Sequence, residues 1–194
     1  MIVPAEVRVG ASHSCRGEPI RLDFMLQPDQ LAALSLFGAL PGQELVALSR
    51  LLEERIYEAN AVVVEEGTPG RELYVIEEGS VAVSKRTADG RVVELGKLGA
   101  GDCFGEMALV GIMRRTATVR AQSRLTLLVL SYASIAELAK ERPHSFTLMV
   151  MNLARELCRR LRQADAVLAE CGITGSTEPL VESALPGGAK QAEQ

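Results

Sequence analysis

The chain has 194 residues, 47% of them hydrophobic, and a formal net charge of −4. That length suits one domain with extensions at its ends, and the acidic balance argues against general binding of polyanions. With no Trp and four Phe, the core is expected to be aliphatic.

The cysteines, Cys15, Cys103, Cys158 and Cys171, form no C-x-x-C pair and no zinc-like spacing, so they read as free thiols of a reducing compartment. The first residues, MIVPAEVRVGASHSC, lack a basic start followed by an apolar run. A cytoplasmic protein without a membrane partner is expected.

Residues 1–27 show no clear period and are expected as an arm, either disordered or paired elsewhere. From Pro28 the segment PDQLAALSLF predicts a short helix. After the Leu40-Pro41-Gly42-Gln43 break, ELVALSRLLEERIY predicts another, with Leu45, Leu48, Leu51 and Leu52 at helical spacing. From about Ile56 to Ser131 the pattern turns to strands: VVVEE, ELYVIEEG, SVAVSKR, RVVELGKL, TATVRA and LTLLVLS, separated by glycines. Asp89-Gly90 between two of them predicts a hairpin. Many short strands with glycine turns point to a barrel or jelly roll.

Helix returns after Leu130. Ser134 and Glu137 have the spacing of a capping box, and Pro143 can end one helix and begin the next. A long helix is expected from about Ser145 to Cys171, with Phe146, Val150, Leu153, Leu157, Leu161, Ala164 and Leu168 on one face. Residues 172–194, rich in Gly, Pro, Ser and Glu, read as a disordered tail.

One stretch departs from ordinary strand sequence: GDCFGEMALVGIMRRTATV, residues 101–119. It reads as a short helical turn, GEMAL, then a loop with Arg114 and Arg115. A glycine at a helix start lets backbone N–H groups approach an anion. An arginine can grip a phosphate through two parallel hydrogen bonds. A glutamate between them would repel that phosphate unless it accepts from a hydroxyl, as a ribose 2′-OH would supply. Gly105, Glu106 and Arg115 in this order describe a site for one phosphate on one sugar.

These residues resemble the phosphate-binding cassette of the cyclic nucleotide-binding domain family. That family includes the catabolite activator protein, regulatory subunits of cAMP-dependent protein kinase and cyclic nucleotide-gated channels. The resemblance runs from about Phe37 to about Cys171. It is supported by Glu66-Gly67-Thr68-Pro69-Gly70, Leu73-Tyr74-Val75-Ile76, Gly79-Ser80-Val81 and Gly99-Ala100-Gly101-Asp102.

The resemblance implies an α+β fold: an eight-stranded β jelly-roll barrel, about 56–131, flanked by N-terminal helices and a long C-terminal helix, in a domain spanning 28–171. It implies that Gly105, Glu106, Met107, Ala108, Arg115, Thr116 and Ala117 lie against a cAMP or cGMP ligand. Glu106 would take the 2′-OH and Arg115 the phosphate. The long helix would cover the base, with Leu153, Glu156, Leu157 and Arg160 as lid candidates; Arg159 and Gln163 are further candidates for reading the purine. A working pocket is the expectation, with a vestigial pocket used for protein interaction or dimerisation as the alternative.

Other classes fit less well. A metal barrel needs converging histidines, and His13 and His144 both lie outside the strands. No nucleophile motif or triphosphate loop is present, so no enzyme and no cofactor are expected. Only 23 residues follow Cys171, so a helix-turn-helix and DNA binding are not expected. The expected partners are the nucleotide, a second copy through the C-terminal helix, and an unidentified effector protein.

Overall fold

The computed structural model describes residues 20–22, 28–106 and 114–172. In the described residues the strands form two antiparallel sheets. The five-stranded sheet has the order β1-β2-β9-β4-β7 and the four-stranded sheet β3-β8-β5-β6. The strands are β1 (Ile20–Leu22), β2 (Leu52–Tyr57), β3 (Val62–Val64), β4 (Glu72–Glu78), β5 (Ser80–Arg86), β6 (Val92–Gly99), β7 (Cys103–Phe104), β8 (Thr118–Ala121) and β9 (Leu125–Ser131). Before β2 come helix α1 (Pro28–Ala32), a 3₁₀ turn (Ser35–Phe37) and α2 (Gly42–Ser49); after β9 come α3 (Tyr132–Glu141) and α4 (Pro143–Glu170).

This is the jelly roll with flanking helices that the sequence predicts, with one correction: the sheets pack face to face and do not close into a barrel. β3, β4, β5, β6, β8 and β9 are the six strands that the sequence patterns predict, and with β2 and the two-residue β7, which no pattern marks, they make the eight that the resemblance implies. β1, from within residues 1–27, adds a ninth by pairing antiparallel with β2, Ile20 opposite Ile56.

The continuous apolar runs of β4 and β9 follow from their central place, because both are covered on both faces. Tyr74, Ile76, Leu125, Leu127 and Val129 turn to the core between the sheets, with Val81, Phe104 and Val119. Leu73, Val75, Leu128 and Leu130 turn the other way. They pack against Leu31, Phe37, Leu45 and Leu48 of the N-terminal elements, Ile135 and Leu138 of α3, and Met149 and Leu153 of α4. β6 is an edge strand, and its Val92, Val93 and Leu95 are exposed. The Asp89-Gly90 turn joins β5 to β6, with Thr87 N–H donating to Arg91 O at 2.8 Å.

Two boundaries differ from the sequence reading. The helical pattern through Leu51 and Leu52 predicts helix as far as Tyr57, but α2 stops at Ser49 and β2 begins at Leu52. Six successive pairs with β9, from Leu52↔Leu130 to Tyr57↔Leu125, outweigh the local helical spacing. The cap of α3 is Ser131, not Ser134: the Ser131 hydroxyl accepts from Ser134 N–H at 3.0 Å, one turn earlier than the capping-box pattern placed it.

The chain divides into two units, Met1–Arg155 and Glu156–Gln194. In the first, Asn152 of α4 donates to Leu36 O at 3.1 Å and Gly38 O at 2.8 Å, fastening that part of the helix to the 3₁₀ turn. Glu44 of α2 accepts from Arg142 at 2.9 Å and from the buried Ser145 at 2.7 Å, across the α3–α4 joint. In the second, Leu157, Leu161, Val167 and Leu168 are exposed. No helix of the described residues is long and apolar enough to cross a membrane.

Candidate functional site

A cavity of about 1200 Å³ opens beside the inter-sheet core. Its walls come from β3 and the turn after it, the start of β4, the end of β5 and β8, and they include Glu66, Thr68, Arg71, Glu72, Tyr74 and Arg115. Its mixed polar and apolar lining suits a polar ligand.

Arg115 enters it from the segment that leads into β8. Two backbone hydrogen bonds fix that segment to the turn after β3: Arg115 N–H donates to Thr68 O, and Gly67 N–H to Arg115 O, both at 2.8 Å. The half-buried guanidinium donates from Nη2 to Glu72 O at 3.0 Å and from Nη1 to Gly105 O at 3.3 Å. Its carbon lies 5.4 Å from the centre of the Tyr74 ring, a cation–π distance. Tyr74 stacks in turn on Phe104, its neighbour on β7, at 4.9 Å and 14°.

Two glycines make room for this cation. A Cβ on Gly70 would stand 2.6 Å from Arg115 Nε. Gly105 has φ +79°, and a Cβ there would overlap Arg115 Nη1 and lie 2.9 Å from Glu72 O. Both positions therefore shape the seat of the guanidinium.

Behind Tyr74 lies an ionic network on the same face of the five-stranded sheet. The Tyr74 hydroxyl donates to Glu72 Oε2 at 2.6 Å. Arg55, buried at 9% exposure, donates to both Glu72 oxygens, at 2.7 and 3.1 Å. It also donates to both oxygens of Glu53, at 2.9 and 3.1 Å. Burial pushes the Glu72 carboxyl up, but the hydrogen bonds from Arg55 and Tyr74 outweigh it and hold the group below the usual carboxylate range. Burial, then the Glu72 contact, pushes the Tyr74 hydroxyl well above the ordinary phenol range.

The sequence-predicted residues are distributed as follows. Gly105 and Arg115 are in direct contact, and Glu106, half-buried, follows Gly105 immediately. Thr116 is exposed and Ala117 half-buried on the way into β8. Arg114 is exposed and donates to Gly67 O at 2.8 Å, so it braces the turn after β3. Met107 and Ala108 lie outside the described residues, as do Leu109, Val110 and Ile112, so of the predicted GEMAL turn only Gly105 and Glu106 are described. Of the lid candidates, Leu153 is buried in the helical core cluster. Glu156 accepts from Arg159 at 2.8 Å and Arg160 at 2.7 Å, and these bonds hold its carboxyl below the ordinary range. Leu157 is exposed.

Sequence reasoning missed Tyr74, Gly70, Glu72 and Arg55 as site residues. Glu72 and Tyr74 were findable, because two residues apart on a strand means one shared face. Arg55 was not: it reaches Glu72 across β9, a strand more than fifty residues further along the chain.

The family model described as a cyclic nucleotide-binding domain matches residues 54–142. A cyclic nucleotide-gated potassium channel of Rhizobium etli is 37% identical over 123 residues, 63% of this chain and 33% of the channel. A cAMP-dependent protein kinase regulatory subunit of Debaryomyces hansenii is 36% identical over 114 residues, 59% of this chain and 24% of that protein. The chain thus spans about a third or less of the curated relatives it matches. In fold it is similar to the crystal structure of a cyclic nucleotide-binding domain from Methylobacillus flagellatus, with a TM-score of 0.70 and 23% identity over 77% of this chain and 84% of that one. From β2 through α3, with an arginine seated among Gly70, Gly105 and Tyr74 at the cavity wall, residues 54–142 of the chain match the cyclic nucleotide-binding domain family.

Proposed function

We propose that the chain is a receptor for a cyclic nucleotide, cAMP in the first place and cGMP in the second, and that it acts as a regulatory or adaptor protein without catalysis of its own. The observation that carries this reading is Arg115. Its charge stands in the cavity wall, and among the described residues its guanidinium donates only to the carbonyls of Glu72 and Gly105. Each terminal nitrogen bears two N–H groups, so donors remain for phosphate oxygens. Glu106 would accept from the ribose 2′-OH. The relatives' descriptions, a cyclic nucleotide-gated channel and a cAMP-dependent kinase subunit, support the same ligand class.

The output we propose is a movement of α4. A ligand shifts a conformational equilibrium only by its differential affinity for the two states. Closing the cassette around phosphate would supply that difference, and Leu153, Glu156, Leu157 and Arg160 would answer on the helix. The second half of α4 leaves Leu157, Leu161 and Leu168 exposed at spacings of four and seven, with Ala164 between them. A stripe of that period suits pairing with a second copy or an effector protein.

Calorimetric titration with cAMP, cGMP and 5′-AMP tests the reading. Saturable heat with cAMP in the micromolar range or tighter is expected, with cGMP equal or weaker and 5′-AMP weakest. No heat with either cyclic nucleotide at millimolar concentration would leave the pocket vestigial and the domain an interaction module.

A further inference from the structure

Arg115 is not the only arginine near Glu72. Its Nη2 bonds the Glu72 backbone carbonyl at 3.0 Å, so the Glu72 carboxylate is one short side chain away from the cation. An acid that close would be the natural partner for a guanidinium, and a paired Arg115 would have lost much of its pull on a phosphate. The carboxylate is instead held elsewhere. Arg55 takes both oxygens and the Tyr74 hydroxyl takes one of them a second time. The Arg55 side chain is 11% exposed and that of Glu72 28%, so the clamp is partly shielded from water.

We propose that Arg55 and Tyr74 are positioning residues for anion binding: they sequester the Glu72 carboxylate, so that Arg115 rests on the Tyr74 ring with no hydrogen bond to a carboxylate among the described residues and stays open to a ligand phosphate. This rests on Arg115 being the phosphate-binding residue. Tyr74 has two separate tasks, its ring carrying the guanidinium and its hydroxyl tying down the acid. Glu53 shares Arg55 with Glu72, at 2.9 Å, but makes no bond to Tyr74, so it provides an internal control of equal charge.

The experiment is a set of calorimetric titrations with cAMP, each variant also checked by circular dichroism. Arg55→Met frees the carboxylate and is expected to weaken binding about tenfold. Adding Glu72→Gln removes the competitor and is expected to bring the affinity back to within about threefold of wild type, a coupling of ordinary size for contacting groups. Adding Glu53→Gln instead removes the same unit of negative charge from beside Arg55 but is expected to restore nothing. A merely structural role for Arg55 predicts that both double variants recover alike. The milder Tyr74→Phe keeps the ring and the fold. It is expected to weaken binding about threefold in the wild-type background and to have no effect in Glu72→Gln. If Arg55→Met does not fold, this Tyr74 pair decides alone. Wild-type binding that is unchanged in Tyr74→Phe, or equal rescue by Glu72→Gln and Glu53→Gln, overturns this inference and leaves the receptor reading standing. Absence of wild-type binding overturns both.

Discussion

The cation of Arg115 is held by shape as much as by bonds, and the two glycines around it separate shape from stability. Gly70→Ala would put a methyl 2.6 Å from Nε and 2.9 Å from Cδ of a flexible side chain, which can swing away. The fold is expected to survive and the affinity for cAMP to fall; a melting temperature close to wild type with unchanged affinity would contradict the seat described for Arg115. Gly105→Ala meets the Glu72 backbone as well and asks a non-glycine residue to adopt φ +79°, a left-handed strain of roughly 1–2 kcal/mol. Here stability and affinity should fall together. At this scale the sequence was informative where the chemistry is contiguous. Gly105, Glu106 and Arg115 sit within eleven residues, and the structure brings Gly105 and Arg115 into contact. The support of Arg115 was hidden, because Tyr74 reads as an ordinary core aromatic and Arg55 as a surface charge until β9 brings their strands into one sheet.

Among the elements, α4 carries the mechanism proposed for output. Its first part is tied down by Asn152 on the 3₁₀ turn, by Ser145 on Glu44 and by Met149 and Leu153 in the helical core. A ligand that repositions the helix must loosen or remake these contacts. Hydrogen exchange should therefore show cAMP altering amides within 145–171 as well as protecting those of 104–118. Protection confined to 104–118 would make the domain a static receptor. The elements themselves were largely legible: six strand patterns became β3, β4, β5, β6, β8 and β9, and Pro143 opens α4. The failures have a common cause. Leu51 and Leu52 keep a helical spacing, and only pairing with β9 turns the following residues into β2. β1 and β7, three and two residues long, are too short to show a period and exist through their partners.

Taken whole, the molecule should be an acid-sensitive one. The carboxyls of Glu72, Glu156, Glu44 and Asp89 are all held below their ordinary values, the first by Arg55 and Tyr74 against the opposing effect of burial, the second and third mainly by hydrogen bonds from Arg159 and Ser145, and the last by Thr87. A depressed carboxyl contributes stability that is complete above its unfolded value, 4.5 for glutamate, and that is lost as pH falls through the folded value. Thermal melts should thus fall steadily below about pH 4.5. Glu77 has the opposite sign: burial first, then Glu54 and Glu78, raise its value. Its charge opposes folding once pH rises past the carboxylate range, so Glu77→Gln should melt higher than wild type at pH 7 and lose that advantage near pH 4. A melt that is flat with pH, or a Glu77→Gln protein no more stable than wild type, would contradict this charge assignment. The claim on which the rest depends is that Arg115 binds the phosphate of a cyclic nucleotide, and the direct measurement is a calorimetric titration of cAMP into wild type, Arg115→Ala and Arg114→Ala side by side. Truncating a desolvated charged partner costs roughly 2–5 kcal/mol. The expected result is saturable wild-type binding, a loss of roughly tens- to thousands-fold in Arg115→Ala, and a small change in Arg114→Ala. Equal affinity in wild type and Arg115→Ala, or the large loss falling on Arg114→Ala instead, would contradict the account.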